Sequence, residues 1–312
     1  MAYFRLFRVV NLLIMALIMY FFRFFLFESA LGFENIASPL SELQFGLLVG
    51  MFVLLAAGGY ALNDYYDIGM DEINNPDKTV LRNKLPLSAG QNWFFILTAA
   101  GLVAGFILAF MLKATSLYFM PVFLAALYWF YSTKYKREFL SGNIVVSLMA
   151  ALNVGIIYIY YIMAFINVGT LPVLMMPYIN AVTLVFAAFA FYLTFIREVV
   201  KDIPDMKGDQ EFECTNLPIK LGLKKTKTIL LILSFVFIAA LAYFAYYSYE
   251  TKRSYLMYYI LILLIPYWIF ILRNLWNARE NKDFRELALM LKVYMVAGIF
   301  SLQLLHMSNQ WR

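Results

Sequence analysis

Nine long apolar stretches alternate with short polar ones along this chain, and most approach the ~20 residues that a helix needs to cross a bilayer. They run approximately Val9–Phe27, Glu42–Leu62, Gln91–Leu112, Ser116–Ser132, Leu140–Ile166, Leu171–Ile196, Thr226–Tyr249, Ser254–Leu275 and Glu286–Met307. The fourth is the shortest, and the break before it, Lys113–Ser116, reads as a tight hairpin. The pattern predicts an all-α membrane protein: about nine transmembrane helices in one bundle, forming a single domain over residues 1–312. Arg5 and Arg8 precede the first stretch and no small-residue cleavage site follows it, so it reads as a membrane helix and not as a removable leader.

The polar segments carry an asymmetry. With the N-terminus on the cytoplasmic side, 19 of the 25 lysines and arginines fall in cytoplasmic segments. Lys113, Lys252, Arg253 and Arg312 lie opposite, while Arg23 and Lys292 sit inside spans. Basic residues mark the cytoplasmic side, so the expected topology is N-terminus in and C-terminus out, with an inner-membrane location if the cell is bacterial. The longest cytoplasmic loops are expected at about 63–90 and 197–225.

Acidic residues in those two segments form a pattern that topology does not require. The apolar run Phe45–Leu62 ends in Asn63-Asp64-Tyr65-Tyr66-Asp67-Ile68-Gly69-Met70-Asp71. At about 100° per residue, positions i, i+3 and i+7 share one helix face, so Asp64, Asp67 and Asp71 crowd like charges together. The spacing recurs as Asp202, Asp205 and Asp209, after the apolar run Val182–Ile196. Two matching acidic faces on one side of the membrane are expected to meet a cation.

Composition narrows the chemistry. At 63% hydrophobic and 14% charged the chain is far from a soluble domain, and nothing suggests a nucleic-acid partner. The single cysteine, Cys214, excludes an internal disulfide and any cysteine-rich metal site, and the single histidine, His306, lies near the far end of the last stretch, on the opposite side from the acidic faces. Carboxylates with oxygen-only neighbours favour a hard cation, Mg²⁺ by default, which takes a few carboxylates, waters and substrate phosphates. Lys78, Arg82 and Lys84 follow the first face, Lys134 and Lys136 join at the next cytoplasmic turn, and Arg197, Lys201 and Lys207 surround the second. Acids for metal beside cations for phosphate make a diphosphate-binding design. A hydrocarbon tail would lie among the apolar helices. Tyr65, Tyr66, Tyr128, Tyr131 and Tyr192 are candidates to face a developing carbocation.

Three segments resemble the UbiA-type membrane prenyltransferases. Asn63-Asp64-x-x-Asp67-x-x-x-Asp71-x-x-Asn74 is similar to their first signature, and Arg197-Glu198-x-x-Lys201-Asp202-x-x-Asp205-x-x-Gly208-Asp209 to their second. Tyr131-Ser132-Thr133-Lys134-Tyr135-Lys136-Arg137, with Gly142-Asn143, resembles a third region. The resemblance implies a helical bundle with a central cavity open towards the bilayer, and Mg²⁺-dependent transfer of an isoprenyl chain from its diphosphate to a lipophilic acceptor. It implies that Asn63, Asp64, Asp67 and Asp71 hold one metal, and that Asp202, Asp205 and Asp209 hold another. Asp67, Asp71, Asp202 and Asp205 would be the catalytic carboxylates. Lys78, Lys134, Lys136, Arg197 and Lys201 would contact the diphosphate, and Tyr131 and Asn143 would line the cavity. Where the family often has arginine and proline this chain has Lys78-Thr79, and Pro204 inside the second signature is expected to bend its helix.

The texture of Lys78–Leu87 and Lys201–Asp209 is closest to the branch that uses geranylgeranylglycerol phosphate as acceptor. Prenylation of an aromatic acid for a quinone is the second reading. A divalent-cation transporter is the alternative of another class. It would place its carboxylates near the bilayer midplane on broken helices, away from lysine and arginine.

Overall fold

The computed structural model describes residues 1–76 and 79–308. After a one-turn helix, Ala2–Leu6, nine helices follow: α1 (Val9–Glu34), α2 (Glu42–Asn74), α3 (Ser88–Met111), α4 (Phe119–Thr133), α5 (Ser141–Val168), α6 (Met176–Glu211), α7 (Leu217–Glu250), α8 (Ser254–Asn277) and α9 (Asn281–Ser308). Among the described residues there is no strand, only an isolated bridge between Leu81 and Leu85. In lipid a helix is the way for a single segment to satisfy its own backbone, and these runs carry few internal prolines.

Eight of the nine are long and apolar enough to cross a membrane alone. The exception is α4, the expected Ser116–Ser132 span. Its 15 residues rise only about 22 Å. The 3₁₀ turn Thr115–Tyr118 just before it adds about 8 Å, and the pair together matches a bilayer core of ~30 Å.

Local chemistry sets the helix ends. Ser41 caps α2 through a reciprocal pair with Gln44. Gly169, at φ 76°, ends α5 in the left-handed region that glycine tolerates. Several helices run beyond the expected spans: α1 continues past Phe27 to Glu34, α2 past Leu62 to Asn74, and α6 past Ile196, through Pro204, to Glu211, while α7 begins at Leu217, ahead of Thr226. Both acidic signatures therefore lie on helix, and the connecting segments shrink to about 75–87 and 212–216. Hydropathy falls where lipid ends, whereas a helix continues as long as its polar side chains find partners.

α2 is the central helix, with 67% of its apolar segment buried against 22–44% for the other spans. Gly59 on α2 lets Tyr128 of α4 lie against the backbone; a Cβ there would come within 2.4 Å of the ring. One hydrophobic core runs from α1 through α5 and takes in the start of α6 and the end of α9, and a second joins the later half of α6 to α7, α8 and the first part of α9. Burial gains little free energy inside lipid, so close packing and interhelical hydrogen bonds carry the assembly. Bonds from side chain to backbone include Tyr192 to Leu233 O (2.8 Å), Tyr259 to Ala297 O (2.9 Å) and Trp268 to Ser234 O (3.0 Å).

The charge buried in α1 is paired. Arg23 sits on a π-helical segment, Phe22–Phe27, and reaches Glu42 at 2.6 Å and Glu28 at 3.7 Å, with its guanidinium 4.6 Å from the Phe45 ring centre. A buried membrane cation needs such partners. His306, near the same end, lies 2.8 Å from Ser29 Oγ.

Candidate active site

A partly open cavity of about 1300 Å³ is lined by these helices. Ile14, Ile18, Met149, Val182, Phe186 and Leu241 belong to its apolar wall, and Phe4, Val10 and Leu13 on that wall are exposed. Its polar mouth is where α2 and α6 end.

On α2, Asn63, Asp67, Asp71 and Asn74 line the mouth. Asn63 and Asp71 lie about 40° to either side of Asp67 around the helix, so the carboxylate-bearing arc is centred on Asp67. Asp67 is buried and accepts hydrogen bonds from the Asn63 amide and from the Lys136 ammonium. Asp64 lies at the edge of this arc, is absent from the cavity wall, and pairs with Arg8 at 2.8 Å. Geometry thus separates Asp64 from the two acids with which its spacing grouped it.

On α6, Asp202, Asp205 and Asp209 line the opposite side of the mouth. Each accepts a hydrogen bond from an asparagine amide of another segment: Asn143 to Asp202 at 2.8 Å, Asn75 to Asp205 at 3.3 Å and Asn216 to Asp209 at 2.7 Å. Asn216 also caps α7, accepting from Ile219 N at 3.0 Å, so the second face is tied to the start of the next helix. The continuous helices here contrast with the broken ones expected of a transporter.

The two faces are held together directly. Gly208 N–H donates to Asn74 Oδ1 at 2.8 Å, and a Cβ on Gly208 would come within 2.6 Å of the Asn74 amide nitrogen. Arg285 of α9 donates to the Asn74 carbonyl at 2.9 Å.

Of the expected diphosphate contacts, Lys136, Arg197 and Lys201 line the cavity, as do Tyr131 and Asn143. Lys134 does not: it is 63% exposed and faces Glu138 at 4.0 Å. Lys78 lies outside the described residues. Burial would lower the Lys136 ammonium's pKa, but the Asp67 carboxylate more than offsets this and leaves it raised, so Lys136 stays charged. Of the five candidate tyrosines, Tyr128 and Tyr131 reach the cavity wall and Tyr65, Tyr66 and Tyr192 do not.

Glu198 was not assigned a role from sequence. It bonds Arg197 at 2.7 Å and Lys201 at 2.6 Å, presenting both cations to the mouth. Its position one turn before Asp202 on the same face was the available signal. Cys214 also lines the mouth, where burial pushes its thiol up to about 11 and leaves it protonated.

The donor set at the mouth is all oxygen apart from that thiol and Met70. Among the described residues no lysine or arginine lies within ion-pair distance of Asp71, Asp202, Asp205 or Asp209. Four uncompensated carboxylates around one opening fit divalent cations. No three histidine, cysteine or acidic residues converge into a closed metal site among the described residues. That spread suits Mg²⁺, which keeps several waters and takes phosphate oxygens in place of a protein cage.

Comparison with known proteins agrees with this geometry. The Archaeoglobus fulgidus structure described as a UbiA homolog bound to DMAPP and Mg²⁺ superposes with a TM-score of 0.56 at 17% identity, over 97% of this chain and 99% of that one. A Sulfurisphaera tokodaii protein named digeranylgeranylglyceryl phosphate synthase is 30% identical over 64% of this chain and 67% of its own length. One of the same name from Saccharolobus solfataricus is 26% identical over 82% of this chain and 83% of its own. The sequence model of the UbiA prenyltransferase family matches residues 21–296, and the chain belongs to that family.

Proposed function

We propose that this protein transfers a geranylgeranyl group from its diphosphate to the free hydroxyl of a prenylated glycerol phosphate, with Mg²⁺. The observation that carries the reading is the pairing of two acidic helix ends across the mouth of one long apolar cavity. At about 1300 Å³ the cavity exceeds the ~300–1,000 Å³ typical of small-molecule sites, which suits two lipid chains better than a chain and one aromatic acid. The names of the Sulfurisphaera and Saccharolobus relatives support the same acceptor.

Asn63, Asp67 and Asp71 on one side, and Asp202, Asp205 and Asp209 on the other, would hold Mg²⁺; Asp64 serves Arg8. When bound, Mg²⁺ neutralises the diphosphate and stabilises the charge that it gains on leaving. Lys136, Arg197 and Lys201 bind diphosphate oxygens, with Glu198 fixing the last two in place. Asn143 orients Asp202. The rings of Tyr128 and Tyr131 line the wall where positive charge develops on the allylic carbon. The apolar wall keeps water away from that carbon. The acceptor oxygen bonds to it as the carbon–oxygen bond to diphosphate breaks, and the hydroxyl proton is released.

The biased lysines and arginines support an N-terminus and mouth on the cytoplasmic side. A periplasmic reporter enzyme fused after Arg312 should be active in a bacterial host, and inactivity reverses the orientation.

Purified protein incubated with labelled geranylgeranyl diphosphate and Mg²⁺ tests the activity against a panel of acceptors. An ether-linked product from geranylgeranylglyceryl phosphate supports the reading. A carbon-linked aromatic product as the sole product replaces it with quinone-precursor prenylation.

A further inference from the structure

Lys292 lies within α9 and is taken up neither by the acidic faces nor by the diphosphate contacts. It lines the cavity, and its ammonium donates to Asn11 Oδ1 of α1 at 2.5 Å. Among the described residues no carboxylate lies within ion-pair distance of it. A membrane-embedded cation held only by a neutral amide is costly, and such residues mark sites.

Its depth follows from two contacts between antiparallel helices. Asn281 reaches the Pro204 carbonyl at 3.5 Å, and Arg197 reaches the Ala288 carbonyl at 3.3 Å. Lys292, one turn beyond Ala288, therefore stands opposite the region of Leu193, about 13 Å along α6 from Asp202. Helical side chains lean towards the N-terminus, which for α9 is the mouth, so the ammonium is tilted back towards the acidic faces.

The surrounding charge is also unbalanced. Arg197 and Lys201 share Glu198 and face the donor diphosphate, and Arg8 is paired with Asp64 behind the wall, so Lys292 is the cation on this part of the wall with no carboxylate committed to it. An uncommitted ammonium with a guanidinium beside it suits a phosphomonoester, which carries about −1.5 to −2 at neutral pH.

We infer that Lys292 and Asn11, beside Arg8, form the subsite for the phosphate of the acceptor lipid. This rests on the prenylated glycerol phosphate reading above and deepens it. The subsite holds the acceptor phosphate apart from the donor diphosphate and leaves the glycerol hydroxyl between them, facing the allylic carbon. The acceptor chain then runs along the apolar wall.

Binding measured without donor or Mg²⁺ separates this inference from the reaction itself. The probes are geranylgeranylglyceryl phosphate and its phosphate-free counterpart, geranylgeranylglycerol, titrated into detergent-solubilised full-length protein. Wild type should prefer the phosphorylated lipid by about tenfold or more, the size of a charge-assisted contact. Lys292→Met should lose that preference while binding geranylgeranylglycerol as wild type does, and Lys292→Arg should keep most of it. Absence of a phosphate preference in wild type, or its survival in Lys292→Met, overturns the subsite. Equal loss of both lipids in Lys292→Met also overturns it, because that is the signature of α1 losing its anchor to α9. Phosphate-dependent binding with no prenyl transfer leaves the subsite standing and removes the proposed activity instead.

Discussion

The Asn74 amide oxygen accepts the Gly208 backbone N–H at 2.8 Å, joining the last turn of α2 to the last turn of α6. The contact exists because Gly208 has no side chain: a methyl group would meet the Asn74 amide at 2.6–2.8 Å. Gly208→Ala should push the two acidic faces apart while leaving each helix intact. A misplacement of ~1 Å at a reacting centre costs about a hundredfold, so transfer should fall by that order with normal membrane insertion. Asn74→Gly in the same chain frees the space and should restore part of the rate. Wild-type transfer by Gly208→Ala alone would show that the faces need not touch.

Asp67→Ala and Asp202→Ala remove one carboxylate from each face and should each abolish Mg²⁺-dependent transfer in protein that still inserts. Asp64→Asn is the contrasting variant. Its carboxylate serves Arg8 and is absent from the cavity wall, so the Mg²⁺ concentration for half-maximal rate should stay near the wild-type value. A large shift in that concentration would bring Asp64 into the metal site.

Glu198→Gln keeps the shape of the side chain and removes the charge that holds Arg197 and Lys201. The two cations lose their shared anchor, and KM for the donor diphosphate should rise about tenfold, the loss of one charge-assisted contact. KM for the acceptor should move much less. Equal rises in both would assign Glu198 a general structural role.

Asn216→Ala removes the cap of α7 and the amide that bonds Asp209. The cap alone is worth about 1 kcal/mol. The melting temperature in detergent should fall by a few degrees, with a weaker response to Mg²⁺. An unchanged Mg²⁺ response would place Asp209 outside the metal site.

The acidic faces were legible in the sequence because a period of i, i+3, i+7 survives folding unchanged along a helix. Which acid belongs to the site was less legible. Asp64 is claimed by Arg8, 56 positions away in the chain, and no local pattern announces that pair. Hydropathy ends α2 and α6 at Leu62 and Ile196, short of Asn74 and Glu211, because polar residues at a cavity mouth read as loop. The fourth span needs two elements, α4 and the 3₁₀ turn before it, to reach across. Glu198 carried no visible role because its partners share its own helix and look like ordinary surface pairing until the cavity is in place. Lys292 and Asn11 are 281 positions apart, and only the closing of the bundle makes them neighbours.

The cavity is polar at one end and apolar along the rest of its wall, and a prenyl transfer inside it ends with two products of opposite solubility. Diphosphate partitions into water at the mouth, and the prenylated lipophilic product dissolves in the surrounding hydrocarbon. Separation into two phases dilutes each product away from the other, so the reverse encounter becomes rare whatever the intrinsic equilibrium of the bond exchange. The same geometry ties turnover to lateral traffic in the membrane, since the lipid product must clear the chamber before the next donor tail can occupy it.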